Sequence, residues 1–315
     1  MRPIAYVYAA GGMGPEGNVN LDIFEASRVP LAADARPISL RALAKQTNAQ
    51  TPRLVSRFVE LAVLGARRID RPLAPSTRLY VATGMGEIVN NDAMYHQVVP
   101  PCGEMIMPAR FVSSGNNMAA FFVARQAGLV SRNLTVSLEE LSFEQALRIA
   151  CDDLAAGVMR SGLVGAVDET ATPREFYLRH FPFAHDHVIG EGSAWVLLGA
   201  DPDGAIGELL EVTVTGPDAH RSTSTADLRG MLSGDQTILL PGFRLDAGDL
   251  MSLLRLTGAT THHRYVQHTG YFPTAVALAL AGTFQAQWPA ATTFIHLNDD
   301  EFGRSGRLIW RVYAR

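Results

Sequence analysis

The segment that most limits how this chain can fold is "NLTVSLEELSFEQALRIACDDLAAGVMRSGLVGAVDE", residues 133–169. "LTVSL" is rich in β-branched and apolar residues, "SFEQALRIACDDLAAGVM" has apolar residues at helical spacing, and "SGLVGAVDE" is strand-like again. A strand, a helix and a strand in that order make a βαβ unit, which implies a right-handed crossover and parallel pairing.

The same alternation covers the rest of the chain. "IAYVYAA" (4–10) predicts a strand ending at the Gly11-Gly12 turn, and "RLVSRFVELAVLGARRI" (53–69) predicts a helix. "RLYVATGMG" (78–86) predicts a strand entering a glycine turn, then a loop punctuated by "VVPPCG"; a helix follows over 117–129. The second half offers strands at 192–200, 206–216 and 236–242, a helix within 269–284, and two strands within 292–314. Its first two strands lie close in sequence, as do its last two, so antiparallel edges are expected. The expected architecture is a layered α/β fold from two duplicated halves, 1–200 and 201–315, with mixed sheets. "GADPDGAIG" and "RSTSTADLRGMLSGD" read as surface loops.

With 315 residues, 47% of them hydrophobic, the chain can bury a full core. A formal charge of −4, with no Lys/Arg tract denser than "GARRIDR", argues against nucleic acid or an anionic membrane surface as the main partner. No apolar run approaches the ~18 residues that span a bilayer, and the N-terminus reads as strand and turn rather than signal peptide. Two cysteines, Cys102 in a loop and Cys151 in a helix, make no disulfide framework and no zinc spacing. A cytoplasmic protein is the expectation.

Within the βαβ unit, Glu139 and Glu140 stand at the corner where the strand turns into the helix. Ser142 followed by Gln145 fits a capping box, which starts the helix at Ser142 and leaves Glu140 just before it. On local grounds the two carboxylates simply complement the helix dipole.

The wider order changes the reading. "MPARFVSSGNNMAAFFVARQAGL", "LTVSLEELSFEQALRIA" and "GLVGAVDE" together resemble the N-terminal half of the β-ketoacyl-acyl-carrier-protein synthases, which are thiolase-fold enzymes. In that family an interface helix and a "GL" turn precede a strand whose elbow carries the nucleophilic cysteine. "GEGSAWVLL" (190–198) resembles the family's "GEGAG-VLE", "HTGYFPTAVALALA" (268–281) its "TGH--GAAG", and "NDDEFGRSGRLIW" (298–310) its "NSFGFGGTN" loop and final strand. "PGFRLDAGD" (241–249) is laid on "HGTSTP-GD".

The resemblance places the cysteine position on Glu140, the two histidine positions on Pro241 and Tyr271, and the lysine position on Val266. None of the four family residues is present. A carboxylate does not hold an acyl group as a thioester, and neither Pro241 nor Val266 donates a proton. Phe302 and Gly303 match the family's gating Phe-Gly, but Arg304 and Ser305 replace small residues.

What the resemblance therefore implies is a non-catalytic chain-length-factor-like subunit, as in type II polyketide or aryl polyene systems. It would pair with an active ketosynthase and set product length. No cofactor would be bound; the phosphopantetheine arm of an acyl carrier protein would enter through the partner. Met105, Met107, Phe111, Asn117, Met118, Phe121 and Phe122 then become candidates for the interface or the acyl tunnel. Two alternatives stay open: a decarboxylase or thioesterase using Glu140 as base with Tyr271 nearby, and a non-enzymatic homodimeric scaffold.

Other constellations carry less. His180, His185, His187, His262, His263 and His268 lack a convincing ligand frame, so no metal site is expected. The glycine-rich turns are neither a P-loop nor a dinucleotide fingerprint, and "SSG" at 113–115 lacks a nucleophile elbow.

Overall fold

The computed structural model describes residues 2–314 apart from 19, 26–27, 35–36, 47–54, 100–102, 104, 171–173, 182–184, 186, 218–235, 246, 260 and 289. Cys102 and the loop at 221–235 fall outside the described residues.

Ten strands form one sheet among the described residues: β1 (Ala5–Met13), β2 (Arg78–Ala82), β3 (Asn133–Val136), β4 (Ser161–Asp168), β5 (Gly192–Gly199), β6 (Gly207–Thr215), β7 (Gln236–Pro241), β8 (Thr261–His262), β9 (Thr292–Asp299) and β10 (Ser305–Val312). The helices are α1 (Leu40–Gln46), α2 (Arg57–Ala66), α3 (Ile88–Val98), α4 (Pro108–Ser113), α5 (Met118–Ala127), α6 (Ser142–Ala155), α7 (Arg174–His180), α8 (Ala247–Thr257), α9 (Val266–Thr269) and α10 (Ala275–Gln285).

Strand order exposes the duplication. The sheet runs β3-β2-β4-β5-β1-β6-β10-β9-β7-β8. Cut between β1 and β6, the two halves have the same topology: two parallel pairings at the outer end, then two antiparallel ones. The join is the short antiparallel contact of Ala5–Val7 with Gly207–Leu209.

Layering follows from which faces are apolar. α2 and α5 cover the outer face of the first half, with Phe58, Leu61, Ala120 and Val123 packed on Leu79, Leu163 and Trp195. α8 covers the second half, with Leu250 against Leu239, Ile295 and Ile309. Between the halves lie α6 and α10, whose buried residues join one core with strands of both. α10 is apolar all round because it is buried all round. The result is the expected α-β-α-β-α layering.

Several details differ from the sequence expectations. β5 and β6 do not pair with each other, because β1 inserts between them and pairs antiparallel with both. The edge strands β3 and β8 pair parallel, so the antiparallel pairs lie inside the sheet. Gly11 and Gly12 are not a turn but strand residues at close approaches: a Cβ on them would lie 2.4 Å from the Arg68 and Ser193 carbonyl oxygens respectively. The expected loop after Gly86 is largely the helix α3, which has a mixed, mostly exposed sequence and so little periodic signal. In the βαβ unit β3 and β4 are parallel, but β2 lies between them.

Candidate functional site

The corner between β3 and α6 is built by loops from both halves. Three backbone turns meet there: the one after β2, the 3-10 turn Glu139–Leu141, and the one before α10. Asp168, at the end of β4, binds two of them. Its Oδ1 accepts from Thr83 Oγ1 (2.8 Å), Gly84 N (3.0 Å) and Met85 N (3.1 Å), and its Oδ2 from Thr274 N (3.1 Å) and Thr274 Oγ1 (2.7 Å). Gly84 lets the other two turns close in, since a Cβ there would stand 2.2 Å from Pro273 and 3.0 Å from the Glu139 carbonyl oxygen.

The helix begins at Ser142 as expected, but not by a capping box. The Ser142 hydroxyl lies inside the first turn and bonds backward, accepting from Leu138 N at 2.8 Å and donating to the Glu139 carbonyl at 2.6 Å. This hairpin-like closure holds Glu139 at φ +51°, a left-handed conformation unfavourable for a side-chain-bearing residue. The strained residue at the corner is thus Glu139, next to the position on which the sequence resemblance placed the nucleophile.

The two glutamates point to different surroundings. Glu139 accepts from Arg304 Nη2 at 3.0 Å and is part-exposed. Arg304 also binds Asp300 and lies over the Phe302 ring at 5.0 Å, so it pins the 300–304 loop to the corner while Phe302 stays 54% exposed. Glu140 is buried at 1% exposure. Its Oε1 accepts from Arg244 Nη2 at 3.1 Å and from the Tyr271 hydroxyl at 3.5 Å, and its carbonyl accepts from Asn298 Nδ2 at 3.1 Å. Burial raises the Glu140 carboxyl above its ordinary range, and Arg244 opposes that rise.

Around Glu140 the space is filled by aromatic rings. Tyr271 touches Phe243 at a centroid distance of 4.6 Å, Phe181 at 5.9 Å, Tyr177 at 6.1 Å and, stacked, His187 at 6.0 Å. Burial drives the Tyr271 phenol well above its ordinary value, so it stays a neutral donor. Below the corner, His296 Nδ1 meets the Leu240 carbonyl at 2.9 Å and its Nε2 meets Glu144 at 3.3 Å.

The four positions taken from the family cysteine, histidines and lysine are brought into one region. Glu140 and Tyr271 touch directly, while Pro241 and Val266 line a 350 Å³ cavity with Phe243, His187, Arg264 and Gln267. A larger cleft of 690 Å³ opens on the other side of the corner, lined by Glu139, Met85, Ile88, Tyr95, Arg179 and Phe181 among others. The residues named as interface or tunnel candidates border neither cavity. Met105, Met107, Phe111 and Phe121 are 90%, 58%, 66% and 50% exposed, and Asn117 is exposed as well. Met118 and Phe122 pack inward against the outer core.

Among the described residues no three His, Cys, Asp or Glu side chains converge as a metal site, and no helix is long and apolar enough to cross a membrane. His263 and His268 stack on each other at 5.3 Å instead.

By sequence, the chain matches no protein-family model and no curated protein. By structure, it overlays the ishigamide ketosynthase/chain length factor with a TM-score of 0.77 at 15% identity, over 98% of this chain and 99% of that one. The fold is the thiolase-type ketosynthase fold.

Other ketosynthase structures agree. AntDE:AntF, a type II polyketide acyl-carrier protein in complex with its ketosynthase, overlays with a TM-score of 0.75 at 16% identity, over 99% and 100% of the two chains. A β-ketoacyl synthase from Burkholderia phymatum STM815 overlays with 0.70 at 15% identity, over the full length of both. Within this ketosynthase fold, sequence reasoning missed Arg244, Asn298 and the ring cage. The signal for Arg244 was present: a glutamate buried at a corner requires a cation, and Arg244 lies in the "PGFRLDAGD" segment already placed at the site.

Proposed function

We propose that the chain is a non-catalytic, chain-length-factor-like subunit of a heterodimeric β-ketoacyl-carrier-protein synthase, shaping the acyl path of an active partner in polyene, polyketide or fatty-acid-like synthesis. The observation that carries this reading is the Glu140–Arg244 ion pair at the corner, enclosed by Tyr271 and Phe243. A carboxylate so placed replaces a nucleophile by a structural contact, and the rings fill the volume where a substrate would react.

Two surfaces give the subunit something to do. Val89, Tyr95 and Val98 on α3, Phe111 and Val112 on α4, and Phe121 on α5 are large exposed apolar side chains. α3 is tied to α4 by Asn90 to the Arg110 carbonyl and to the segment before α4 by Gln97 to the Met105 carbonyl. An apolar face of this kind suits a protein partner, here the ketosynthase that supplies the cysteine and receives the carrier protein. The 690 Å³ cleft, with Met85, Ile88 and Phe181 in its wall, borders that face through Tyr95 and is the proposed contact for the partner's growing acyl chain.

A Glu140-dependent decarboxylase or thioesterase is disfavoured by the enclosure of the carboxylate, which is buried, bound to Arg244 and covered by Tyr271 and Phe243. The test is co-expression with a cysteine-bearing ketosynthase from the same genome, followed by native mass spectrometry. A one-to-one heterodimer is expected; a homodimer indifferent to the ketosynthase would overturn the reading.

A further inference from the structure

Behind the first turn of α3, three carboxylates gather around one guanidinium. Glu87 immediately precedes α3, Glu169 follows β4 and Glu191 precedes β5, and they are 0%, 1% and 0% exposed. Glu191 is well matched: its Oε1 takes the Ile38 N–H and Arg57, and its Oε2 takes the Thr170 N–H at 3.0 Å. Arg57, the first residue of α2, also donates to the Ile38 carbonyl at 2.8 Å.

Glu87 and Glu169 are less well supplied. Glu87 accepts from the Ser56 hydroxyl through Oε1, and Glu169 accepts from the backbone N–H of Val89 in α3. The other oxygen of each, Oε2, is buried with no hydrogen-bond partner. Two buried acceptors lack donors, and Arg57, already bound to Glu191, is the one cation that acts on Glu169. A proton removes one negative charge from the cluster and lowers the cost of burying an acceptor that has no donor.

We propose that Glu87 and Glu169 hold a proton at neutral pH, and that its loss loosens the first turn of α3, the helix that forms a wall of the 690 Å³ cleft and part of the exposed apolar face. The Ser56 hydroxyl ties Glu87 just ahead of this turn, and a second negative charge sets Glu87 and Glu169 against each other there. The charged groups facing it are Arg57 from α2 and Glu191 at the start of β5. Burial pushes Glu87 up to about 7, against the Ser56 hydrogen bond, and pushes Glu169 up to about 8, with Glu87 and Glu191 adding repulsion. The N-terminal dipole of α3 favours one negative charge here, but two ionised groups repel each other in a buried site. This device rests on the cluster alone and does not depend on which partner covers α3.

Two measurements on the full chain, alone or in complex, test it. Infrared difference spectroscopy of the wild type should show a protonated buried carboxyl at neutral pH that disappears on alkalinisation and is diminished in Glu87→Gln and Glu169→Gln. Amide exchange protection over residues 88–91, corrected for the intrinsic pH dependence of exchange, should fall about tenfold between about pH 6.5 and about pH 9 in the wild type, and less than about twofold in the glutamine variants. A missing carboxyl band, or an equal fall in wild type and variants, overturns the proposal. Should Glu87→Gln not fold, Glu169→Gln and the wild-type spectrum decide.

Discussion

Arg244 reaches from the loop after β7, in the second half of the duplicated fold, to Glu140 at the corner of the first, closing at 3.1 Å. The contact joins the halves at the corner where the sequence resemblance places the cysteine position. Removing one partner of a buried pair leaves the other charged and desolvated. Arg244→Met should therefore destabilise by about 2–3 kcal/mol, below the fully buried range because the Arg244 side chain keeps 25% exposure. Without Arg244 the Glu140 carboxyl rises further, so the folded state binds a proton that the unfolded state releases. The deficit should be larger at pH 8 than at pH 5 in denaturant titrations.

Adjacent glutamates at one corner should respond in opposite ways. Glu139 holds φ +51° and a part-exposed ion pair; glycine relieves the strain while losing a contact of less than about 1 kcal/mol. Glu139→Gly is expected to be neutral within about 0.5 kcal/mol. Glu140→Ala should cost more than about 2 kcal/mol, because Arg244, Tyr271 and a void are left behind. Equal costs in urea unfolding would refute this division of roles.

Asp168 gathers five donors from two turns that belong to different halves. Asp168→Ala orphans all of them and should cost about 3–5 kcal/mol. Asp168→Asn should be nearly as harmful, since its amide places a donor against backbone N–H groups. Thermal unfolding of both variants measures it.

Phe111 and Phe121 make no buried core, being 66% and 50% exposed. Phe111→Glu and Phe121→Glu should leave the stability of the chain within about 0.5 kcal/mol, yet weaken the proposed heterodimer at least tenfold. Unfolding curves and native mass spectrometry separate the two effects.

Glu87 and Glu169 also set a direction for global stability. Both are raised in the folded protein, to about 7 and about 8, so between the ordinary carboxylate range and those values the native state binds more protons than the unfolded one. Their favourable contribution is whole at acid pH and lost as pH rises. A decline of roughly 3 kcal/mol from each group is expected between about pH 5 and about pH 8.5. Glu169→Gln should flatten it.

Much of the molecule was legible in local pattern. The period of apolar residues marked α2, α5 and α6, and the runs of β-branched and apolar residues marked nearly every strand, because each element must present an apolar face to a neighbour whatever that neighbour is. The chemistry of the four positions assigned by resemblance was equally readable, since Glu140, Pro241, Val266 and Tyr271 carry no thiol, imidazole or ammonium group in any conformation.

Pairing and protonation were decided only in three dimensions. β1 enters the middle of the sheet between β5 and β6, a placement that no local propensity encodes and that turns Gly11 and Gly12 from a turn into close-packed strand. Ser142 bonds backward rather than capping, because the corner it closes is held by Asp168 and Gly84 from other loops. A glutamate in a sequence is simply acidic. Whether it becomes a buried ion pair like Glu140, a strained surface contact like Glu139 or a proton holder like Glu169 depends on the donors and the water that the fold leaves beside it.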